Sequence, residues 1–285
     1  MKLCRFDDNR LGVVEGEVVR DVTSVLDRLP AFRVPLPKHD PVIAALDELL
    51  PEIRAAVPNA PSRRLADVRL LSPVGNPGKI VAAPVNYRKH FDEVTESSAL
   101  HHGNQINTIH RAGLFLKASS SVIGVSDPVR LRHLERRNDH EVELVAIIGK
   151  TADRISKAEA LDYVAGYCIG LDMTVRGPEE RSLRKSIDTY TVLGPWLVTP
   201  DEAGDPTQLN LKLDVDGEPR QHANTSDLVL SLAELIEFAS AYYTLLPGDV
   251  IMTGTPEGVG PVAPGQTMTA TIDTLGTITV GVEVA

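Results

Sequence analysis

Between Asp139 and Gly149 the chain reads Asp-His-Glu-Val-Glu-Leu-Val-Ala-Ile-Ile-Gly, and its pattern changes part-way. The first half alternates, so on a strand Glu141 and Glu143 share one face while Val142 and Leu144 share the other. Beyond Glu143 the run is wholly apolar, as in a strand that enters a core covered on both sides. A β-strand closed by Gly149-Lys150-Thr151 is therefore predicted. Two adjacent carboxylates at its polar end repel each other unless water, a proton or a cation separates them. They form either a half-solvated strand end or a pair of hard oxygen ligands for a divalent metal. This stretch alone leaves both readings open.

The same patterns organise the rest of the chain. Short strands joined by turns at Asp8-Asn9 and Gly16 are predicted over residues 1–30. Val42, Ile43, Leu46, Leu49, Leu50 and Ile53 recur at helical spacing over 41–57. Prolines and glycines crowd residues 58–78, which sets a boundary near 75 between a small N-terminal β-plus-helix domain (1–75) and a larger domain (76–285). Residues 79–85 read as a buried strand and 86–93 as the start of a helix, with His90 and Glu93 three apart on one side. A histidine held by a carboxylate is the arrangement of a general base, and equally of an exposed helical pair.

Residues 94–113 are polar and aperiodic, which predicts an irregular lid or binding loop with His101, His102 and His110 solvated. A strand running into a turn is predicted at 114–124, a helix at 156–163 and a buried strand at 164–171. That last strand delivers Asp172 to its mouth, where a third metal ligand belongs. Arg176, one helical turn later, either neutralises nearby carboxylates or clamps an anionic substrate. The remainder is β-rich apart from a helix over 231–243, and the predicted fold class is a β-rich α+β.

Composition narrows the function. A net charge of −10 with no basic stripe argues against nucleic acid, and Arg130–Arg137 is diluted by acids as in a solvated loop. No apolar run approaches a membrane span. Cys4 and Cys168 fit neither a zinc pattern nor a disulfide framework, and acids stand near the N-terminus where a signal peptide has its apolar core. A cytoplasmic protein is expected. Gly149-Lys150-Thr151 lacks the upstream glycine of a phosphate-binding loop, and Ser119–Ser121 lack a nucleophile elbow.

Six stretches occur together in one order: Asn86-Tyr87…His90…Glu93; Phe115-Leu116-Lys117…Ser120-Ser121-Val122-Ile123-Gly124; Glu141-Val142-Glu143-Leu144; Gly166-Tyr167…Asp172-Met173-Thr174…Arg176; Lys185-Ser186…Asp188-Thr189…Gly194-Pro195-Trp196; and Pro247-Gly248-Asp249-Val250-Ile251…Thr253-Gly254-Thr255-Pro256…Gly258-Val259-Gly260. In these the chain resembles the fumarylacetoacetate hydrolase family, over roughly residues 76–285, with a leader like that of many bacterial members. The resemblance implies a mixed β-roll catalytic domain, usually assembled as a homodimer. It also implies a metal site of Glu141, Glu143 and Asp172 for Mg²⁺, with Mn²⁺ or Ca²⁺ tolerated, and an acid–base pair of His90 and Glu93. By the same resemblance Lys185 faces the substrate's oxygens, and Tyr87, Lys117, Arg176 and Thr255 lie near the substrate.

The implied reaction is metal-dependent hydrolysis of a C–C bond in an acylpyruvate- or fumarylpyruvate-like diketo acid, through an enolate stabilised by the cation. The alternatives are decarboxylation or isomerisation of oxaloacetate or of 2-hydroxyhepta-2,4-diene-1,7-dioate-like oxo-diacids, a sugar-acid dehydratase, and a non-catalytic dicarboxylate-binding protein. Three departures from the family pattern stand out: Gly177 where Asp is usual, Glu179 where some hydrolases carry an amide, and a longer 94–113 loop.

Overall fold

The strand Val142–Ile148 is buried at every residue. It pairs antiparallel with Val164–Asp172 on one side, from Val142↔Leu171 to Ile148↔Val164, and with Val250–Met252 on the other. This central position in a computed structural model describing residues 1–285 explains the unbroken apolar run. Val142, Leu144, Ala146 and Ile148 enter a cluster of 40 buried residues, whereas Val145 and Ile147 enter a second cluster of 20. Both faces of the strand are covered.

The large sheet runs Ser62–Arg64, Val18–Asp21, Arg10–Glu15, Lys2–Phe6, Thr191–Val198, Val164–Asp172, Val142–Ile148, Val250–Met252, Ile80–Ala82, Phe115–Lys117. A five-stranded sheet (Glu218–Asn224, Asn210–Val215, Thr267–Ile272, Gly276–Val284, Val129–Leu131) packs against it through the larger cluster, where Leu211, Leu213, Met268, Ile272, Ile278 and Val280 join Leu144, Ala146 and Ile169. A small third sheet joins Thr174–Val175, Asn138–His140 and Gly260–Pro261 beside the polar end of the central strand. The result is the predicted β-rich α+β architecture of packed mixed sheets with few helices.

The first 75 residues extend the same sheet. Lys2 and Leu3 pair with Val198 and Leu197. The helix Leu46–Ala56 sets Leu46, Leu49 and Ile53 into the second cluster, against Ile147, Leu193, Leu197 and Val250. This N-terminal segment is what covers the second face of the central strand.

Three local expectations change. The helix read over 41–57 is broken at Ala45, which caps Pro41–Ala44 and precedes Leu46–Ala56. The helix read over 156–163 is only a short turn at Ala160–Tyr163. An eight-residue segment gains too few hydrogen bonds to offset helix nucleation unless packing fixes it, and here Ser156 Oγ bonds the Glu159 carboxylate instead. The stretch 94–113 is less irregular than expected: Arg88–Glu96 runs into it, and Ser98–His101 and Ile109–Ala112 are short helices.

The longest C-terminal helix, Leu232–Tyr242, starts with a capping box between Ser231 and Glu234. Lys157 Nζ donates to Glu234 at 2.8 Å and Ser231 adds its own bonds, lowering the Glu234 carboxyl to about 2 from an ordinary 4.5. Replacing Ser231 with Ala is expected to cost about 1 kcal/mol in denaturant unfolding. Because the Glu234 value is depressed in the folded state, its contribution is complete above its unfolded value and fades as pH falls from 4.5 toward 2. A Glu234→Gln variant should lose that part of the acid dependence.

Candidate active site

Period-two geometry assembles the site on the face of the large sheet that holds the second cluster. Across neighbouring strands, Glu143, Val145 and Ile147 share a face with Cys168, Gly170 and Asp172, and with Phe115 and Lys117. Toward one end these positions are apolar and packed under the N-terminal segment. Toward the other they are Lys117, Glu143 and Asp172, joined by Glu141 just before its strand begins, with Asp172 N–H donating to Glu141 O at 2.9 Å. A single sheet face thus changes from core to polar site along its length. Gly170, opposite Glu143, leaves the room required, since a Cβ there would stand 2.5 Å from Val145.

Glu141, Glu143 and Asp172 each offer an oxygen within 4.8 Å of the others, and all three are buried. The half-solvated strand end is thereby replaced by a crowded, buried carboxylate cluster. Lys185 Nζ donates to Glu141 Oε2 at 2.6 Å, to Asp172 Oδ2 at 2.7 Å and to Thr174 Oγ1 at 2.6 Å. Lys117 Nζ pairs with Asp172 and donates to Tyr190 O at 2.9 Å. Arg176 spans Asp139 and Glu141, both at 2.8 Å, so its guanidinium is committed to carboxylates. It reaches them from just beyond the strand Thr174–Val175 and not from a helical turn.

The charges distribute unevenly. Against the burial that would raise it, Lys185 and Arg176 hold the Glu141 carboxyl far below the usual range. Burial and the neighbouring Asp172 push Glu143 well above it, although Gly254 N–H donates to Glu143 Oε2 at 2.7 Å. Burial lowers the Lys117 ammonium. A carboxyl displaced upward by its neighbours marks a cluster short of positive charge at its centre. Three carboxylates with no sulfur or imidazole among them suit a hard divalent cation. His101, His102 and His110 join no such group.

The triad opens into a cleft of about 240 Å³ lined also by His90, Phe115, Arg176, Arg181, Arg184, Lys185 and Thr255. His90 is buried on the helix Arg88–Glu96, its Nδ1 2.8 Å from Glu93 Oε2, while Glu93 Oε1 accepts Gly258 N–H at 3.0 Å. Glu93 is therefore bonded through both oxygens, and His90 stands in the cleft wall with the carboxylates. Thr255 Oγ1 accepts from Gln221 Nε2 at 2.7 Å, and Gln221 Oε1 also takes Val142 N–H at 3.0 Å. Tyr87 does not line the cleft: it packs in the main core, and its hydroxyl is without a partner.

Leu100, His101, Asn104, Gln105 and Ile106 from the 94–113 stretch cover the cleft. Val94, Leu100 and Ile106 are anchored on Val259. This stretch forms a packed wall over the site.

A family profile described as "Fumarylacetoacetate (FAA) hydrolase C-terminal" matches residues 79–283. The chain belongs to the fumarylacetoacetate hydrolase family. It is similar to the maleylpyruvate hydrolase of Aquipseudomonas alcaligenes, 59% identical over 284 residues and 99% of each chain. It is also similar to the 2,4-didehydro-3-deoxy-L-rhamnonate hydrolase of Sphingomonas sp. (strain SKA58), 35% identical over 97% of this chain and 94% of that one. Among solved structures, the maleylpyruvate hydrolase from Sphingobium sp. SYK-6 in complex with manganese(II) ion and pyruvate superposes with a TM-score of 0.86, at 42% identity and over 100% of both chains.

Two departures from the fumarylacetoacetate hydrolase pattern now have one physical account. Arg136 donates to both Glu179 oxygens, at 3.1 and 2.7 Å, and to Arg176 O at 3.0 and 2.7 Å. A Cβ at position 177 would stand 1.7 Å from the Arg136 guanidinium. Glycine there makes room for the arginine, and Glu179 supplies its charge partner. The basic run 130–137, expected to be a solvated loop, thus sends Arg136 and Arg137 inward, the latter donating to Asp139 at 2.7 Å.

Proposed function

We propose that this chain is a divalent-metal-dependent hydrolase that cleaves the C–C bond of an acylpyruvate of the maleylpyruvate kind, releasing an acid and pyruvate. The observation that carries this reading is the convergence of His90, held by Glu93, and the buried Glu141, Glu143 and Asp172 on one cleft. The 59% identity with a maleylpyruvate hydrolase along nearly the whole chain supports the substrate class. Residues 76–285 are the catalytic unit in this reading, with 1–75 as its cover. Mg²⁺ is the proposed resident cation, with Mn²⁺ as a competent substitute, and a cytoplasmic homodimer is the proposed form.

Glu141, Glu143 and Asp172 would hold the cation. When bound, it supplies a Lewis acid for the carboxylate and 2-keto oxygens of the pyruvyl head. Lys117, Lys185 and Arg176 hold Glu141 and Asp172 in place from outside, and Gly254 N–H holds Glu143. With Nδ1 engaged by Glu93, His90 has its other ring nitrogen to take a proton from water. The resulting hydroxide adds to the acyl carbonyl, and Lys185 offers positive charge to the oxyanion. The bond between that carbonyl carbon and the methylene then breaks, its electron pair leaving with the three-carbon unit as an enolate. His90 returns the proton to the methylene carbon, giving pyruvate, while the acyl carbon keeps the water oxygen as a carboxylic acid. Thr255 and the lid residues enclose the substrate and exclude bulk water.

The test is product identification by NMR with Mg²⁺-loaded protein on a panel of acylpyruvates and on oxaloacetate. Acid and pyruvate in equal amounts from an acylpyruvate are expected. CO₂ from oxaloacetate with intact acylpyruvates would replace the hydrolase reading with a decarboxylase at the same residues.

A further inference from the structure

The short helix Arg181–Lys185 delivers three cations to the cleft, and only Lys185, at its end, is used by the carboxylate triad. Arg181 and Arg184, three residues apart and so on one side of the helix, also line the cleft, and neither forms an ion pair with any carboxylate. Arg184 is buried and donates Nε to Glu179 O at 2.8 Å and Nη1 to Val175 O at 3.4 Å, leaving Nη2 free. The Arg181 guanidinium makes no hydrogen bond and lies over the Phe115 ring, 5.6 Å from its centroid. The neighbouring acids are already engaged: Glu179 by Arg136, and Glu180 Oε2 by Ser182 N–H at 2.6 Å.

Arg184 is buried and Arg181 half-buried, and guanidiniums drawn out of water with no carboxylate paired directly to them are costly unless an anion joins them. We propose that Arg181 and Arg184 form a subsite for a second carboxylate at the acyl end of the substrate, so that the cleft selects diacids over acylpyruvates with neutral tails. This rests on the hydrolase reading for the placement of the pyruvyl head at the triad. Lys185 marks that end of the cleft, and Arg181 stands about one helical turn, roughly 5 Å, from it along the helix. A seven-carbon diacid extended through six C–C bonds spans about 7 Å, about the reach of two extended residues. The fork of a guanidinium matches a carboxylate, and the ring of Phe115 holds Arg181 in position.

The experiment is calorimetric binding of two unreactive ligands to the Mg²⁺-loaded protein: 2-oxoheptanedioate, and 2-oxoheptanoate, which has the same head and length but no tail carboxylate. Neither carries the second keto group that cleavage requires. The parent should bind the diacid at least about tenfold more tightly. Arg181→Gln should remove most of that preference and leave the monoacid affinity unchanged. Because Arg181 is only half-buried and makes no hydrogen bond, this variant keeps the fold intact. Arg184→Gln should act in the same direction, with its melting temperature measured alongside because it also loses backbone contacts.

Equal binding of the two ligands by the parent, or equal weakening of both by Arg181→Gln, would overturn the subsite. Binding is read without turnover, so the two readings can fail separately. Tail discrimination with no cleavage of any acylpyruvate would remove the hydrolase reading and leave the subsite. Cleavage with no discrimination would do the reverse.

Discussion

Glu141→Gln and Glu143→Gln should each abolish metal-dependent turnover, lowering kcat/KM by about 10³ or more, equivalent to roughly 4 kcal/mol of transition-state stabilisation. Their metal-free forms should nevertheless differ in stability. Glu143 is a buried carboxyl pushed upward by burial and by Asp172, and it accepts a hydrogen bond from the neutral Gly254 N–H. An amide at that position relieves repulsion, so the metal-free variant should melt no lower than the parent. Glu141 instead anchors Lys185 at 2.6 Å and Arg176 at 2.8 Å. Removing its charge leaves two buried cations underpaired, which costs about 3–5 kcal/mol. Isothermal titration with Mg²⁺ and thermal melts of the metal-free proteins read both effects. Metal affinity unchanged in both variants would refute the assignment of the triad as ligands.

His90→Ala should lower kcat by about 10²–10⁴ while leaving metal affinity at the parent value, because the role proposed for His90 is proton transfer and not metal ligation. Glu93→Gln should lose activity by a comparable factor. Its amide oxygen can keep Gly258 N–H, but its NH2 then donates to His90 Nδ1, which puts the ring proton on the other nitrogen and removes the base. The pairing matters more than either residue alone: the His90→Ala/Glu93→Gln double variant should be little worse than His90→Ala. Additive losses would mean that Glu93 acts on the substrate directly.

Those two predictions draw on residues that were legible in the sequence, and the reason is local. Alternation places Glu141 and Glu143 on one face, a strand of nine residues places Asp172 at its end, and three-residue spacing pairs His90 with Glu93. Each relation is set by the period of one element, and the antiparallel register Val142↔Leu171 then closes the triad. The apolar run after Glu143 was equally readable, because a central strand covered on both faces needs no polar positions.

What escaped reading depends on contacts between distant segments. Gln221 reaches Thr255 and Val142 across 34 and 79 residues, and no periodicity announces it. Arg136 meets Glu179 across 43 residues and occupies the space that Gly177 leaves open. Arg181 and Arg184 sit on a five-residue helix too short to show an amphipathic pattern, and their meaning comes from the cleft they face. Phe115 looked like part of a plain strand, yet alternation sends it to the same face as Lys117, at the edge of the site. The 94–113 stretch is polar and aperiodic in sequence, yet Leu100 and Ile106 are enough to pin it to Val259.

In the proposed mechanism, C–C hydrolysis depends on a divalent cation held by Glu141, Glu143 and Asp172. The most direct measurement is turnover of a single acylpyruvate by protein stripped with a chelator and then titrated with Mg²⁺, following pyruvate release and metal binding in the same samples. Pyruvate release that is absent from the stripped protein and rises in proportion to one bound cation per chain is the predicted result. Pyruvate release by the stripped protein at the restored rate would contradict it.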